Sequence, residues 1–213
     1  MIACLGWGSL IWDLDGLPIQ QLTGDLPAPA WARCAQQQGG AIGDWQTEGP
    51  RVRVEFLRRS GCRICHPGCR RGPLTLVLYE ASDPVPCLWA RMTNVDTLDA
   101  AVLSVATRER LTGRHATANI GRWSSGQADP ASIPGLSAWA VGCDGVDHVI
   151  WTALGPKFDG DAPPTADDAV RYLDSLSGEH RRRAEEYVRC APPQIDTVYR
   201  QRFIDDLDWT PTR

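Results

Sequence analysis

The sequence has no apolar run near the roughly 20 residues that a helical membrane span needs, so a spanning protein of that kind is not expected. Its first residues lack the basic region, sustained apolar stretch and small-residue cleavage site of a secretory leader, which makes the cytoplasm the expected location. Excess basic charge is also missing. Lys and Arg number 22 against 26 Asp and Glu, for a formal net charge of -4. Phosphate backbones are bound by clustered Lys and Arg, so nucleic acid is not the expected partner. The one basic run, Arg181-Arg182-Arg183, sits among Glu179, Glu185 and Glu186 and reads as a solvated helix face. No Ser/His/Asp order, phosphate loop, dinucleotide fingerprint or internal repeat occurs.

What is present suits a globular domain. The length of 213 residues fits one domain, and 43% hydrophobic with 23% charged residues is close to the average for a chain with a packed core. The eight cysteines are expected to be mostly thiols in a reducing compartment. Cys4, Cys34, Cys87, Cys143 and Cys190 are scattered and mostly flanked by apolar residues, as small buried hydrophobes would be.

The apolar segment Ile2 to Trp7 reads as a buried strand ended by Gly8-Ser9. Residues 13 to 50 are rich in Gly, Pro, Gln and Asp and read as a long loop with a short strand near Trp31 to Ala35. Strands are expected over Arg51–Leu57, Leu74–Tyr79 and Cys87–Met92. A helix is expected over Asn94–Leu111, with Thr93 as N-cap and Asp96 at the third position. Ser137–Cys143 and Val146–Thr152 flank Asp144-Gly145 and predict a hairpin. Helices follow over Thr165–Leu176, Gly178–Cys190 and Ile195–Leu207, with Pro192-Pro193 parting the last two. Strands first and helices later indicate an α+β domain with a mixed or barrel-like sheet.

Two glycines flank Trp7, and Ser9 follows. Such a turn lets backbone approach a ligand and can gather free N–H groups for an anion or carbonyl oxygen. It can equally be a bend by which a buried strand leaves its sheet. The run Gly8-Ser9-Leu10-Ile11-Trp12, placed after an N-terminal apolar strand, resembles the Tyr-Gly-Ser-Leu loop of gamma-glutamylcyclotransferase-like proteins, most closely the ChaC-type branch, where Ile-Trp also follows. The resemblance implies that Trp7, Gly8, Ser9 and Leu10 hold the gamma-glutamyl group of a substrate, largely through backbone amides. Trp7 stands where the family has Tyr, which keeps a flat apolar face and loses a hydroxyl.

The same resemblance implies one catalytic Glu in an Arg-Glu pair on a helix, here Arg108-Glu109. Helical spacing independently aligns Leu98, Val102, Val105 and Glu109 on one stripe, so Glu109 is expected to face inward. A buried carboxylate is costly unless it is paired or performs chemistry, and burial in general suits a carboxyl to proton transfer near neutral pH. The alternative is a structural carboxylate tied to Arg108, Arg110 or a backbone donor. Glu55 is a rival site residue, on the strand face shared with Arg51, Arg53 and Leu57, where an exposed carboxylate beside Arg53 is the alternative. Tyr199, after Ala191-Pro192-Pro193, is similar to the Tyr that follows a Gly-Pro-Ser-Gly segment in ChaC-type chains. Ile195, Tyr199 and Phe203 also recur at helical spacing, as core residues do.

Cys62, Cys65, His66 and Cys69 offer the ligand set of a Cys3His zinc site, packed more tightly in sequence than such sites usually are. A redox-sensitive hairpin tip is the alternative. The resemblance requires no cofactor, so a structural zinc here would belong to a local insertion. The expected whole is one domain over 1–213, with a Cys-rich hairpin insertion at 60–73 and C-terminal helices at 165–213. By resemblance its fold is a small mixed β-barrel or sheet with flanking helices. Its reaction is the intramolecular cyclisation of a gamma-glutamyl amine or peptide to 5-oxoproline, with Glu109 as general acid and base. The expected partner is a small gamma-glutamyl or amino-acid-like molecule. A non-catalytic binding module of the same fold, or a metal or redox regulator built on the cysteine cluster, are the competing classes.

Overall fold

A computed structural model describes residues 1–12, 41–61, 71–93, 95–109, 111, 117–159 and 162–212. The short strand expected near Trp31 to Ala35 and the cluster Cys62, Cys65, His66 and Cys69 lie outside these residues. The described chain is α+β, and its strands form two sheets.

The first strand, β1 (Ile2–Gly6), lies at the centre of a five-stranded sheet whose order is β2–β6–β1–β8–β7, formed with β2 (Ala41–Gln46), β6 (Leu88–Thr93), β7 (Ile120–Ser124) and β8 (His148–Thr152). β1 runs antiparallel to β6, with Ala3 opposite Arg91, and parallel to β8, with Cys4 opposite Ile150. A central strand covered on both faces has no side to expose, and all five of its residues are buried. Alternation divides them. Ile2 and Cys4 face helix α2 (Leu98–Arg108) in a cluster with Val102, Val105 and Ile150. Ala3 and Leu5 face the main core with Trp7, Val149 and Trp151.

The second sheet is three-stranded, in the order β4–β3–β5, with β3 (Arg51–Arg59) between β4 (Leu74–Leu78) and β5 (Pro84–Pro86). Val52, Val54 and Phe56 of β3 join Leu74 and Leu76 in the main core. Helices α4 (Ala166–Asp174), α5 (Gly178–Cys190) and α6 (Val198–Leu207) complete it through Leu173, Ala184, Val188 and Phe203. Phe56 and Phe203 meet edge to face at 5.4 Å, and truncating such a ring to Ala costs about 3–5 kcal/mol. The two sheets remain separate, and no closed barrel forms among the described residues.

Several elements depart from the sequence expectation. Within the segment 13–50, expected as a loop, Ala41–Gln46 forms β2, which pairs with β6, and β5 and β7 are strands that local sequence did not signal. Leu136–Gly142 is a helix, α3, and not a hairpin strand. Leu136 and Ala140, four apart, are its buried residues, and the Asp129 carboxylate accepts from the amides of Gly135 (2.9 Å) and Ser137 (2.8 Å) at its start. The Asp144-Gly145 turn, with Gly145 at φ 75°, therefore joins a helix to β8. Helix α2 also begins later than expected. Thr97, not Thr93, caps it by accepting from the Ala100 amide at 3.2 Å, while Thr93 ends β6.

Candidate active site

The loop after β1 is held on both sides by packing. A β-carbon at Gly6 would lie 2.6 Å from the Trp45 ring and 2.9 Å from Ile11 Cγ1. A β-carbon at Gly8 would lie 2.5 Å from the Tyr187 hydroxyl oxygen. Neither glycine has positive φ, so close approach of neighbouring side chains, and not a left-handed backbone, is what disfavours a β-carbon at both positions. Trp7 between them is buried in the main core. Ser9–Trp12 forms a single helical turn, α1, in which the Ile11 amide donates to the Gly8 carbonyl at 3.0 Å. Leu10 points into the cluster beneath α2, and Trp12 meets the Tyr187 ring edge-on at 5.7 Å. The opening N–H groups of such a turn have no carbonyl partner within it.

The end of α2 comes to this loop. Arg108 donates from Nη2 to the Ser9 carbonyl at 3.4 Å, and its Nη1 lies 3.8 Å from Glu109 Oε1. Glu109 is the C-cap of α2, one residue beyond the helix whose Val102 and Val105 face inward, so the expected stripe continues into the cap. The Arg108 and Glu109 side chains are 15% and 19% exposed, so both are largely withdrawn from water. Cys4 of β1 senses the pair. Burial pushes its thiol up to about 12, with the Glu109 charge adding to the rise and the Arg108 charge opposing it.

Glu55 and Tyr199 meet each other elsewhere. Glu55 is 2% exposed, although alternation along β3 suggested a solvent face. Thr197 and Tyr199, at the start of α6, reach Glu55, and Val54, Glu55, Phe56 and Leu57 are all buried. Glu55 Oε1 accepts from Thr197 Oγ1 at 2.5 Å and from the Phe56 amide at 2.9 Å, and Oε2 accepts from the Tyr199 amide at 3.3 Å. Burial pushes this carboxyl up to about 7, against the pull of the three donors. The Tyr199 hydroxyl donates to the Pro164 carbonyl at 2.7 Å, and burial followed by the Glu55 charge raises its pKa. The hydrogen bonds of Glu55 and Tyr199 thus fasten the start of α6 and do not reach the loop.

Tyr187 was not visible as a site residue in the sequence. Its only signal is a place one residue before Val188 and three after Ala184, on the buried face of α5. Among the described residues no group of three or more His, Cys, Asp or Glu could hold a metal ion. No family model matches the chain, no curated protein matches it, and no solved structure matches it. No helix among the described residues is long and apolar enough to cross a membrane.

Proposed function

We propose that the chain is a gamma-glutamylcyclotransferase-like enzyme, in which Glu109 performs proton transfer on a gamma-glutamyl compound held by the loop Gly8–Leu10. The observation that carries this reading is the Arg108 guanidinium. It reaches the Ser9 carbonyl at 3.4 Å and stands 3.8 Å from Glu109, so one cation links the loop to the carboxylate.

The reaction needs few parts. The substrate's α-amine attacks its own γ-carbonyl carbon, a C–N bond forms, and the bond to the leaving amine breaks to give 5-oxoproline. Tethering of the two reacting groups supplies an effective molarity of about 10⁵–10⁸ M once the chain is folded into place. Glu109 takes one proton from the substrate's ammonium and passes it to the departing nitrogen, and the second proton, shed by the attacking nitrogen as the ring closes, is taken up by the released amine, so no net proton stays on the protein. Loop amides fix the γ-glutamyl group while the carbonyl oxygen gains charge. Glu55 is assigned a structural part, because its carboxylate oxygens are already taken by three donors in a buried setting.

The test is release of 5-oxoproline by purified protein from a panel of γ-glutamyl amides and peptides, glutathione included. Wild type is expected to turn over at least one member, and Glu109→Gln to keep the fold and lose about 10²–10⁴ in rate, the span of general acid–base catalysis. Equal rates in both proteins would remove Glu109 from the chemistry. No product from any member would remove the reaction itself.

A further inference from the structure

We propose that Tyr187 of α5 is a positioning residue for the loop, its hydroxyl seated against Gly8 so as to set how the Gly8–Leu10 backbone is presented to substrate. The seat is defined from three directions. The Leu76 amide of β4 donates to the Tyr187 hydroxyl at 3.3 Å. The phenol ring is met edge-on by Trp12 at 5.7 Å on one side and by Phe56 at 6.3 Å on another. The hydroxyl oxygen then occupies the space where a β-carbon of residue 8 would stand, 2.5 Å from its ideal position. A phenol wedged between the second sheet and the loop transmits the position of one to the other.

Distances separate the hydroxyl from the ring. The next Tyr187 atom from that β-carbon position is Cζ, at 3.6 Å, which is ordinary van der Waals contact. The oxygen alone is therefore the close contact that a β-carbon at position 8 would meet. Tyr187 brings a phenol hydroxyl to the turn from another element. Trp45 presses on Gly6 in a similar way, but Gly6 belongs to β1, whereas Gly8 opens the turn proposed above to hold substrate.

The contact is a property of the fold, while its consequence for substrate rests on the function proposed above. Three variants test both: Tyr187→Phe, Gly8→Ala, and the two combined. Gly8→Ala is expected to lower the melting temperature, and the double variant to recover most of that loss because the oxygen is gone. Tyr187→Phe alone is expected to shift the amide ¹H–¹⁵N resonances of Gly8 and Ser9 beyond those of distant residues. With a γ-glutamyl substrate it is expected to raise KM about tenfold while kcat changes little, as loss of uniform binding does. A double variant no more stable than Gly8→Ala, or unmoved Gly8 and Ser9 amides in Tyr187→Phe, overturns the seat. A fall in kcat at constant KM overturns the positioning role. If wild type turns over no γ-glutamyl compound, the proposed reaction fails, and the melting and resonance measurements still decide whether Tyr187 sets the loop.

Discussion

Replacing Glu55 with Gln makes a sharp forecast about stability and pH. In the native protein this carboxyl sits at about 7, above its ordinary value of 4.5, because burial outweighs the three hydrogen bonds it accepts. A carboxyl raised on folding favours the native state while it is protonated in both states. That contribution is whole below about 4.5 and is lost as pH rises towards 7. The full difference, at about 1.4 kcal/mol per pH unit, is on the order of 3 kcal/mol. Glutamine keeps an oxygen for Thr197 and the Phe56 amide, but turns an amino group towards the Tyr199 amide and loses one hydrogen bond, about 1 kcal/mol. Urea unfolding of both proteins between pH 4.5 and pH 8 should therefore show two curves that cross. Wild type should be the more stable at the acid end and the variant at pH 8. Subtracting one curve from the other removes titrations common to both. A difference independent of pH would refute burial as the dominant influence on Glu55. Wild type gaining on the variant as pH rises would show that the three donors win.

Other outcomes follow from the same contacts. Arg200 is 1% exposed, and its guanidinium donates to the carbonyls of Pro192 (2.6 Å), Ile195 (3.0 Å), Val188 (3.1 Å) and Ala191 (2.6 Å) at the end of α5. Arg200→Met leaves those carbonyls without their donor and should destabilise by about 3–5 kcal/mol in chemical unfolding, with a loss under 1 kcal/mol contradicting the role. Lysine at this position should not restore stability, because an ammonium cannot span four carbonyls as a planar fork does. Cys4 and Cys87 are free and buried, with thiols pushed far up by burial. Both should resist an aromatic disulfide reagent at pH 8 in the native protein and react once it is unfolded, as peptide mass mapping would read; early labelling of either would contradict their burial.

Legibility of the fold tracked how local each signal was. β1, β4 and α5 follow directly from short apolar runs and from Gly178 and Pro192-Pro193 as boundaries. The segment 136–142 misled because Asp-Gly is a strong hairpin signal, whereas its helix depends on Asp129, six residues before Gly135, accepting two amides. Glu55 misled for a related reason. Strand alternation gives two faces and cannot tell that the start of α6, over 140 residues later in sequence, reaches Glu55 on the second. At the candidate site the loop and Arg108-Glu109 were readable from residue types. Tyr187 was not, because its meeting with Gly8 joins residues from opposite ends of the chain, and only three-dimensional packing shows the hydroxyl against the glycine.

The most direct measurement is a crystal structure of the Glu109→Gln protein with an uncleaved γ-glutamyl compound bound. The γ-carbonyl should face the amides following Gly8, with the substrate's amine within about 2.6–3.2 Å of the side chain at position 109. A ligand seated away from this loop, or a residue 109 turned out of reach of the amine, would contradict the proposed chemistry.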